Sequence, residues 1–202
     1  VLIPNEKNGV KLTTIAKSAL GCSSFTGTLK IPSTVTTIES RAFYNNNVTY
    51  VDNGDGNLVS GFIFGRSSDG SIDYTNIINY ASMNTDNVII PSYVKIISDN
   101  AFKQSEIKNV TLPEGITYIG ANAFRHCKLG PEIVIPSTVT SIGANAFSKE
   151  VNWNNFNLSL TKIVNKTGRK FDWKAITGGP TEATFEYGTV ENWYGNIEVV
   201  KG

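Results

Sequence analysis

The chain has 202 residues, of which 40% are hydrophobic, so it can form one large or two small domains with a real core, and disorder is disfavoured. Lys and Arg number 18 against 17 Asp and Glu, and the formal charge of +1 without a basic stripe argues against nucleic acid as a partner. No run approaches the roughly 18 apolar residues of a membrane span, and the first residues lack the pattern of a signal peptide.

Four copies of one motif organise the chain. Residues 31–43 read IPSTVTTIESRAF, residues 90–102 IPSYVKIISDNAF, residues 112–124 LPEGITYIGANAF and residues 135–147 IPSTVTSIGANAF. A degraded copy occupies residues 1–27, where Pro4 lies too early, as though NEKNG had been inserted. Because the chain begins inside repeat-like sequence, it is interpreted as an excerpt whose anchoring segments would lie elsewhere. Self-similarity at a fixed period predicts stacked units.

Each unit contains a strand, a stop and a bend. In the copy at 107–124, Val110 and Leu112 alternate as one side of a strand, which Pro113 ends because it lacks a backbone donor. The spacing up to Ala123 and Phe124 predicts a tight bend and one helical turn, with Phe124 filling the interior. Such a unit cannot bury its apolar side alone, so neighbours must stack with about 4.8 Å between strands. The pattern predicts a solenoid.

The repeat is interrupted once and then ends. Between about 52 and 87, the β-rich runs FIF and YTNIINY are joined by the turn signal SSDGS, which predicts a hairpin excursion from the stack. After about 165 the sequence becomes aromatic and glycine-rich. In that part FDWKAI predicts a short helical turn with Asp172 as N-cap, and TFEYGTV and NIEVV predict a hairpin through ENWYG. The expected organisation is a solenoid over 1–165 and a C-terminal β and aromatic cap over 166–202.

Units of the form LxxIxIPxxVTxIGxxAFxxC, with Pro91, Pro113 and Pro136 at steps of 22 and 23 residues, resemble the BspA-like leucine-rich repeats, also described from treponemal surface proteins. The resemblance covers residues 1 to about 165. It implies a curved leucine-rich repeat solenoid with a parallel sheet along one face. It also implies a protein that is secreted or attached to the surface of bacteria and some protozoa, and is engaged in adhesion.

Few residues carry chemistry. Cys127 follows His126, but no second His completes a common zinc site, so no metal or cofactor is expected. Stacking separates Cys22 from Cys127 by about four strand spacings, too far for a disulfide, which predicts two free, buried thiols. The DNGDGN segment at 52–57 lacks the EF-hand spacing and is interpreted as a turn. No motif of an enzyme family is present, although a carboxylate pair from distant coils stays open.

Two surfaces could bind a partner. Alignment of the strands that precede the repeat prolines puts six residues in one outward row: Lys30, Asp52, Ile89, Thr111, Val134 and Val164. The apolar members of this row, with Tyr50 and Tyr93 nearby, would form a patch of the kind found at interfaces, although exposed β-branched residues are also simply good strand formers. The second surface is the turn of the tail, with Trp193 and Tyr194, whose other aromatic residues are expected to cap the solenoid.

These observations favour a non-enzymatic interaction or adhesion module at the cell surface or outside the cell. Its partner would be a protein or glycan on host or neighbouring microbial cells, bound through the sheet face. A structural spacer or a tip domain of a surface filament is the alternative. A carbohydrate-binding or carbohydrate-active domain that uses the tail aromatics is a third hypothesis.

Overall fold

Successive coils of the chain place short strands in two stacks. The computed structural model describes residues 1–82, 86–148, 160–178, 184–191 and 196–202. In chain order the elements are β1 (Glu6–Lys7), β2 (Val10–Lys11), β3 (Thr14–Ile15), β4 (Thr26–Lys30), β5 (Thr37–Ile38), β6 (Asn47–Asp52), β7 (Leu58–Val59), β8 (Phe62–Arg66), β9 (Ile72–Tyr80), β10 (Asn87–Ile89), β11 (Ile96–Ile97), β12 (Asn109–Thr111), β13 (Tyr118–Ile119), β14 (Glu132–Ile135), β15 (Ser141–Ile142), β16 (Lys162–Asn165), β17 (Phe171–Asp172), α1 (Trp173–Thr177), β18 (Thr184–Phe185), β19 (Gly188–Val190) and β20 (Ile197–Lys201).

The first stack, called column A, consists of β4, β6, β10, β12, β14, β16 and β20, of which β4, β10, β12 and β14 end near a repeat proline. Parallel pairing joins β4 to β6, β10 to β12, and β14 to β16 and then β20. Inward residues such as Leu29, Ile133 and Ile163 are buried, and their outward neighbours face solvent to different degrees. The alternation expected from the sequence is therefore observed.

The second stack, called column B, consists of β3, β5, β9, β11, β13 and β15, of which β5, β11, β13 and β15 follow shortly after a repeat proline. Parallel pairing joins β3 to β5, and joins β9, β11, β13 and β15 in sequence. The Ile of each short pair points inward, so that Ile77, Ile97 and Ile119 are completely buried. The core lies between the two columns.

The segment before each repeat Phe, expected to bend into a helical turn, forms consecutive i→i+3 turns. In one coil the N–H of Ala101 donates to Ser98 O (3.2 Å) and the N–H of Ser105 to Phe102 O (3.0 Å). The third residue of each turn, Asn100 or Gln104, has a positive φ of 60° or 67°. Alternate N–H groups then reach the next coil, as from Phe102 to Ala123 O (2.9 Å). Backbone hydrogen bonds therefore join adjacent coils on this side as well.

The repeat phenylalanines fill the interior. Phe102, Phe124 and Phe147 are stacked with ring centroids 4.9 and 5.6 Å apart and interplanar angles of 11° and 9°. The buried side chains form two clusters, one in the first coils around Phe43 and one from Phe62 to the C-terminal part. Val59 packs against both clusters, so β7 lies where they meet.

The predicted hairpin exists, but its description as an excursion from the stack is wrong. β8 and β9 pair antiparallel, and β9 pairs parallel with β11 through Ile77 and Ile97. The hairpin is thus inserted into column B. The physical reason is the apolar run at Phe62, Ile63 and Phe64, whose side chains are all buried and could not be left in solvent.

The degraded first copy keeps its place in the stack. Leu2 bridges in parallel to Lys30, so Val1–Ile3 forms the first rung of column A. The inserted residues NEKNG belong to a hairpin of β1 and β2. Asn8 and Gly9 at its turn have φ of 54° and 75°, the backbone that a two-residue hairpin turn requires.

The residues after β16 close the C-terminal end. Asp172 caps α1 as predicted, since its Oδ1 accepts from Ala175 N (3.0 Å). The last repeat coil donates Phe147 N to Ile176 O (3.0 Å), so α1 receives the backbone bond that another coil would receive. Trp173 is fully buried beneath this contact. The predicted hairpin is formed by β19 and β20, and β20 also extends column A by parallel pairing with β16.

Candidate interaction surface

The predicted outward row exists as neighbouring pairs in column A. Lys30 is in register with Asp52, Ile89 with Thr111, and Val134 with Val164. Ile89 is 73% exposed. Among the other members, Lys30 and Thr111 are exposed, and Asp52, Val134 and Val164 are half-buried. The strand alignment made from sequence therefore holds within each pair.

The row has two further members that the sequence did not indicate. Leu2 pairs with Lys30 and is 77% exposed, and Val200 pairs with Val164 at the other end. Leu2 was missed because its copy is degraded. Val200 was missed because its strand follows a tail without repeats. The signal for Leu2 was its place directly before Ile3 and Pro4, as Lys30 stands before Ile31 and Pro32.

The row is interrupted in its middle. Asp52 pairs with Leu58 on β7, which runs antiparallel, and not with Ile89. In the part of the chain that the structure describes, β10 pairs with β12 alone. Ser60 and Tyr80 line two adjoining cavities of about 420 Å³ each at this interruption. The predicted row is therefore broken between Asp52 and Ile89, and among the described residues no ladder joins β12 to β14 either.

Charged side chains around the row pair with one another between coils. Lys108 Nζ lies 2.9 Å from Asp86, and Lys162 Nζ lies 2.9 Å from Glu132. The hydrogen bond with Glu132 raises the pKa of Lys162. Exposed pairs of this kind stabilise by at most about 1 kcal/mol, but they neutralise the local charge. The members of the row beside them are apolar or hydroxylic, so any partner of this part meets little net charge.

The DNGDGN segment is a turn, as predicted. Asp52 Oδ1 accepts from the N–H groups of Gly54 (2.8 Å) and Gly56 (2.9 Å), and Asp55 accepts from Asn57 N (3.0 Å) and from the Tyr74 hydroxyl. These carboxylates are occupied by their own loop and its neighbour. Among the described residues no cluster of His, Cys, Asp and Glu could hold a metal ion.

Both cysteines are free thiols, but the prediction that both are buried is wrong. Cys127 is half-buried, its Sγ donates to Phe102 O (3.0 Å), and burial raises the pKa of its thiol to about 12. Cys22 is exposed and has a φ of 54°. It lies two residues after Leu20 of its coil, whereas Cys127 lies three residues after Phe124, and this shift of one residue places Cys22 at the turn position with a positive φ. Hydrogen bonds with Tyr44 and Asn45 lower the pKa of the Cys22 thiol.

Three other residues named in the sequence analysis have different outcomes. His126 is a half-buried turn residue with a φ of 63°. Trp193 and Tyr194 lie outside the described residues, so their proposed exposure in the tail stays a prediction. No helix among the described ranges is long and apolar enough to cross a membrane.

Two columns of short parallel strands, with a core that contains the stacked repeat phenylalanines, define a leucine-rich repeat solenoid. The chain belongs to the family of the BspA type leucine rich repeat region, whose six copies match residues 6–62 and 75–176. A comparison with curated proteins found no similar sequence.

Solved structures of bacterial proteins are similar to this chain. The pneumococcal vaccine antigen PcpA has 20% identity and a TM-score of 0.51, over 80% of this chain and 44% of the PcpA chain. A leucine-rich repeat protein of Eubacterium ventriosum has 23% identity and a TM-score of 0.47, over 69% and 36% of the two chains. One of Bacteroides ovatus has 19% identity and a TM-score of 0.32, over 83% and 57%. The chain thus spans less than half the length of PcpA, and that likeness shows the fold alone.

Proposed function

We propose that this chain is a non-enzymatic interaction module of a bacterial cell-surface or secreted protein. In this proposal it binds a protein or glycan on host or neighbouring microbial cells through the outward face of column A. The observation that carries the proposal is the weakly charged row on column A, in which the exposed Ile89 and Thr111 pair with each other and the half-buried Val134 and Val164 pair with each other. A surface location is supported by the family and by PcpA, which is a vaccine antigen.

The chemistry of the row suits recognition rather than reaction. The Lys108–Asp86 and Lys162–Glu132 pairs leave their charges compensated, so the exposed β-branched side chains are the groups with contacts still to make. Repetition places equivalent side chains side by side along the solenoid, which gives a partner a long and regular surface. Weakly charged, partly apolar surfaces of this kind mark protein interfaces.

The test is binding of the chain to immobilised extracellular-matrix proteins and glycans, beside a variant with Thr111→Glu and Val134→Glu. A matched control carries Thr117→Glu and Thr140→Glu, which change two exposed residues next to column B. We expect the row variant to lose binding and the control to keep it, with both folded by circular dichroism. Equal binding by both variants would place the interaction elsewhere, with the tail turn at Trp193 and Tyr194 as the next surface.

A structural spacer or filament tip domain is the second candidate. It is favoured by the fact that coils already exchange backbone bonds and charge pairs with one another, so stacking needs no external partner. If the chain binds none of the immobilised ligands, this candidate replaces the first.

A further inference from the structure

We propose that the gap in column A is a docking site for an extended segment of a partner polypeptide, which adds to the open edge of β10 as an extra strand. This inference rests on the proposed interaction function and names its site and the chemistry of its partner. The inserted hairpin adds two strands on the column B side: β9 belongs to the column, and β8 pairs with β9. On the column A side, the same stretch supplies the two-residue β7. The strand at this position of column A is therefore only two residues long.

The two ends of β6 are covered by different pieces of chain. Val51 and Asp52 pair with β7, and Asn47 bridges antiparallel to Ser82. Neither piece forms a ladder with β10, the next strand along the column. The position next to β6 in column A is thus filled by two separate chain segments, β7 and the residues around Ser82, with a break between them.

Only the backbone N–H and C=O groups of β10 that face β12 have hydrogen-bond partners. Ile90 N donates to Thr111 O (3.0 Å) and Asn109 N donates to Asp86 O (2.8 Å), so the even-numbered residues bond to β12. Alternation in a parallel strand directs the N–H and C=O groups of Asn87 and Ile89 the other way. Among the described residues no hydrogen bond or strand pairing engages these groups on that side. Such an edge is a template for another strand.

A cavity lies beside this edge. It measures about 420 Å³, and its lining comes from β7, β8, β9, β10 and the segment after β10. The lining residues are Val59, Ser60, Phe62, Tyr80, Asn87, Val88, Ile89, Pro91 and Tyr93. None of these is Asp, Glu, Lys or Arg, and the nearby Asp86 is paired with Lys108.

This combination selects the occupant. The open N–H and C=O groups of Asn87 and Ile89 can be satisfied by the peptide groups of another strand at strand spacing. The cavity lining is uncharged and mainly apolar and aromatic, so it disfavours charged side chains, because their desolvation would not be compensated. An extended, uncharged segment with β-branched residues at alternate positions satisfies both requirements. A glycan has no peptide groups at strand spacing and satisfies the second requirement at most.

The experiment uses the whole chain and an acetylated, amidated Thr-Val-Thr-Val-Thr-Val peptide, with hydrogen exchange followed by NMR. The amide of Ile89 should exchange fast and that of Ile90 slowly in the free protein, and the peptide should protect Ile89. Ile89→Pro removes the outward donor while leaving the bonds to β12, and Ile89→Ala removes the same side chain but keeps the donor. We expect the proline variant to weaken binding about fivefold relative to the alanine variant, since the one backbone hydrogen bond donated by residue 89 is lost.

A peptide methylated at alternate backbone nitrogens gives the same answer without changing the protein, and it should not bind. The proposal is overturned if Ile89 is already protected in the free chain, if the peptide gives it no protection, or if the methylated peptide binds equally. A concentration-dependent dimer that Ile89→Pro abolishes would identify a second copy as the occupant instead. If Thr111→Glu with Val134→Glu abolishes partner binding but Ile89→Pro does not, the proposed function stands and this inference fails.

Discussion

The phenylalanine stack makes a quantitative prediction about what holds the coils together. Phe124 is 1% exposed and lies between Phe102 and Phe147, with nearly parallel rings at 4.9 and 5.6 Å. Phe124→Leu keeps an apolar side chain but removes both ring contacts. Phe43→Leu is the matched control, because Phe43 is also fully buried, yet no aromatic ring packs against it among the described residues.

The magnitude follows from the two ring contacts. A close aromatic pair contributes about 0.5–1.5 kcal/mol beyond the burial of its area, so two pairs contribute about 1–3 kcal/mol. A volume-conserving core exchange costs less than about 1.5 kcal/mol by itself. Phe43→Leu should therefore lower the free energy of unfolding by about 1 kcal/mol, and Phe124→Leu by about 2–4 kcal/mol.

The assay is urea unfolding followed by circular dichroism and tryptophan fluorescence, with coincident transitions required before free energies are compared. A double-mutant cycle of Phe102→Leu and Phe124→Leu should give a coupling of about 1 kcal/mol. A second cycle of Phe43→Leu and Phe124→Leu, whose residues lie in separate core clusters, should be additive within about 0.5 kcal/mol. If Phe43→Leu costs as much as Phe124→Leu and both cycles are additive, the rings only fill volume and the reasoning is refuted.

Four further predictions concern close packing, buried polar groups and thiols. A Cβ at Gly143 would lie 2.3 Å from a backbone nitrogen of the preceding coil, so Gly143→Ala should destabilise more than Gly56→Ala, where no atom lies within 4 Å and only the left-handed backbone at a φ of 85° costs about 1–2 kcal/mol; equal unfolding midpoints would contradict this. Asn53→Ala leaves two buried backbone groups of β8 without their 3.0 Å bonds and should cost about 3 kcal/mol in urea unfolding, whereas a loss under about 1 kcal/mol would mean that water replaces them. In native protein at pH 8, Ellman's reagent should modify Cys22 and spare Cys127 until the chain unfolds; similar rates for both thiols would refute their assigned environments. Burial raises the pKa of the Cys127 thiol from 9.0 to about 12, so the stabilisation by the buried neutral thiol is complete below pH 9 and is lost as the pH rises towards 12. Between pH 8 and pH 11 the free energy of unfolding of the wild type should therefore fall more than that of Cys127→Ala.

The periodicity of the sequence determined the fold class because each coil repeats the same inside and outside pattern. Alternation around Leu29, Ile133 and Ile163 indicated the inward residues of column A, and the repeat Phe indicated the core. The pair Ile89–Thr111 followed from aligning prolines, since a strand ended by the same residue in each coil keeps its register. Val164 pairs with Val134 although no proline ends its strand.

The same periodicity could not indicate the thiol environments or the full outward row. Cys22 resembles Cys127 in sequence, yet a displacement of one residue moves it to the left-handed turn position and into solvent. Val200 has no repeat around it, and its place in the row depends on β20 returning to pair with β16.

By itself, then, the sequence determined that this chain is a stacked solenoid of BspA type and which residues of each coil face inward. Only the tertiary structure decided which coils are neighbours at the insertion. There β9 joins column B at Ile77, while β7 covers one end of β6 and leaves the edge of β10 at Ile89 open. The physical reason is that a repeat pattern reports the inside and outside of one coil at a time. Which backbone edges meet depends on how distant segments such as the hairpin pack their own buried side chains.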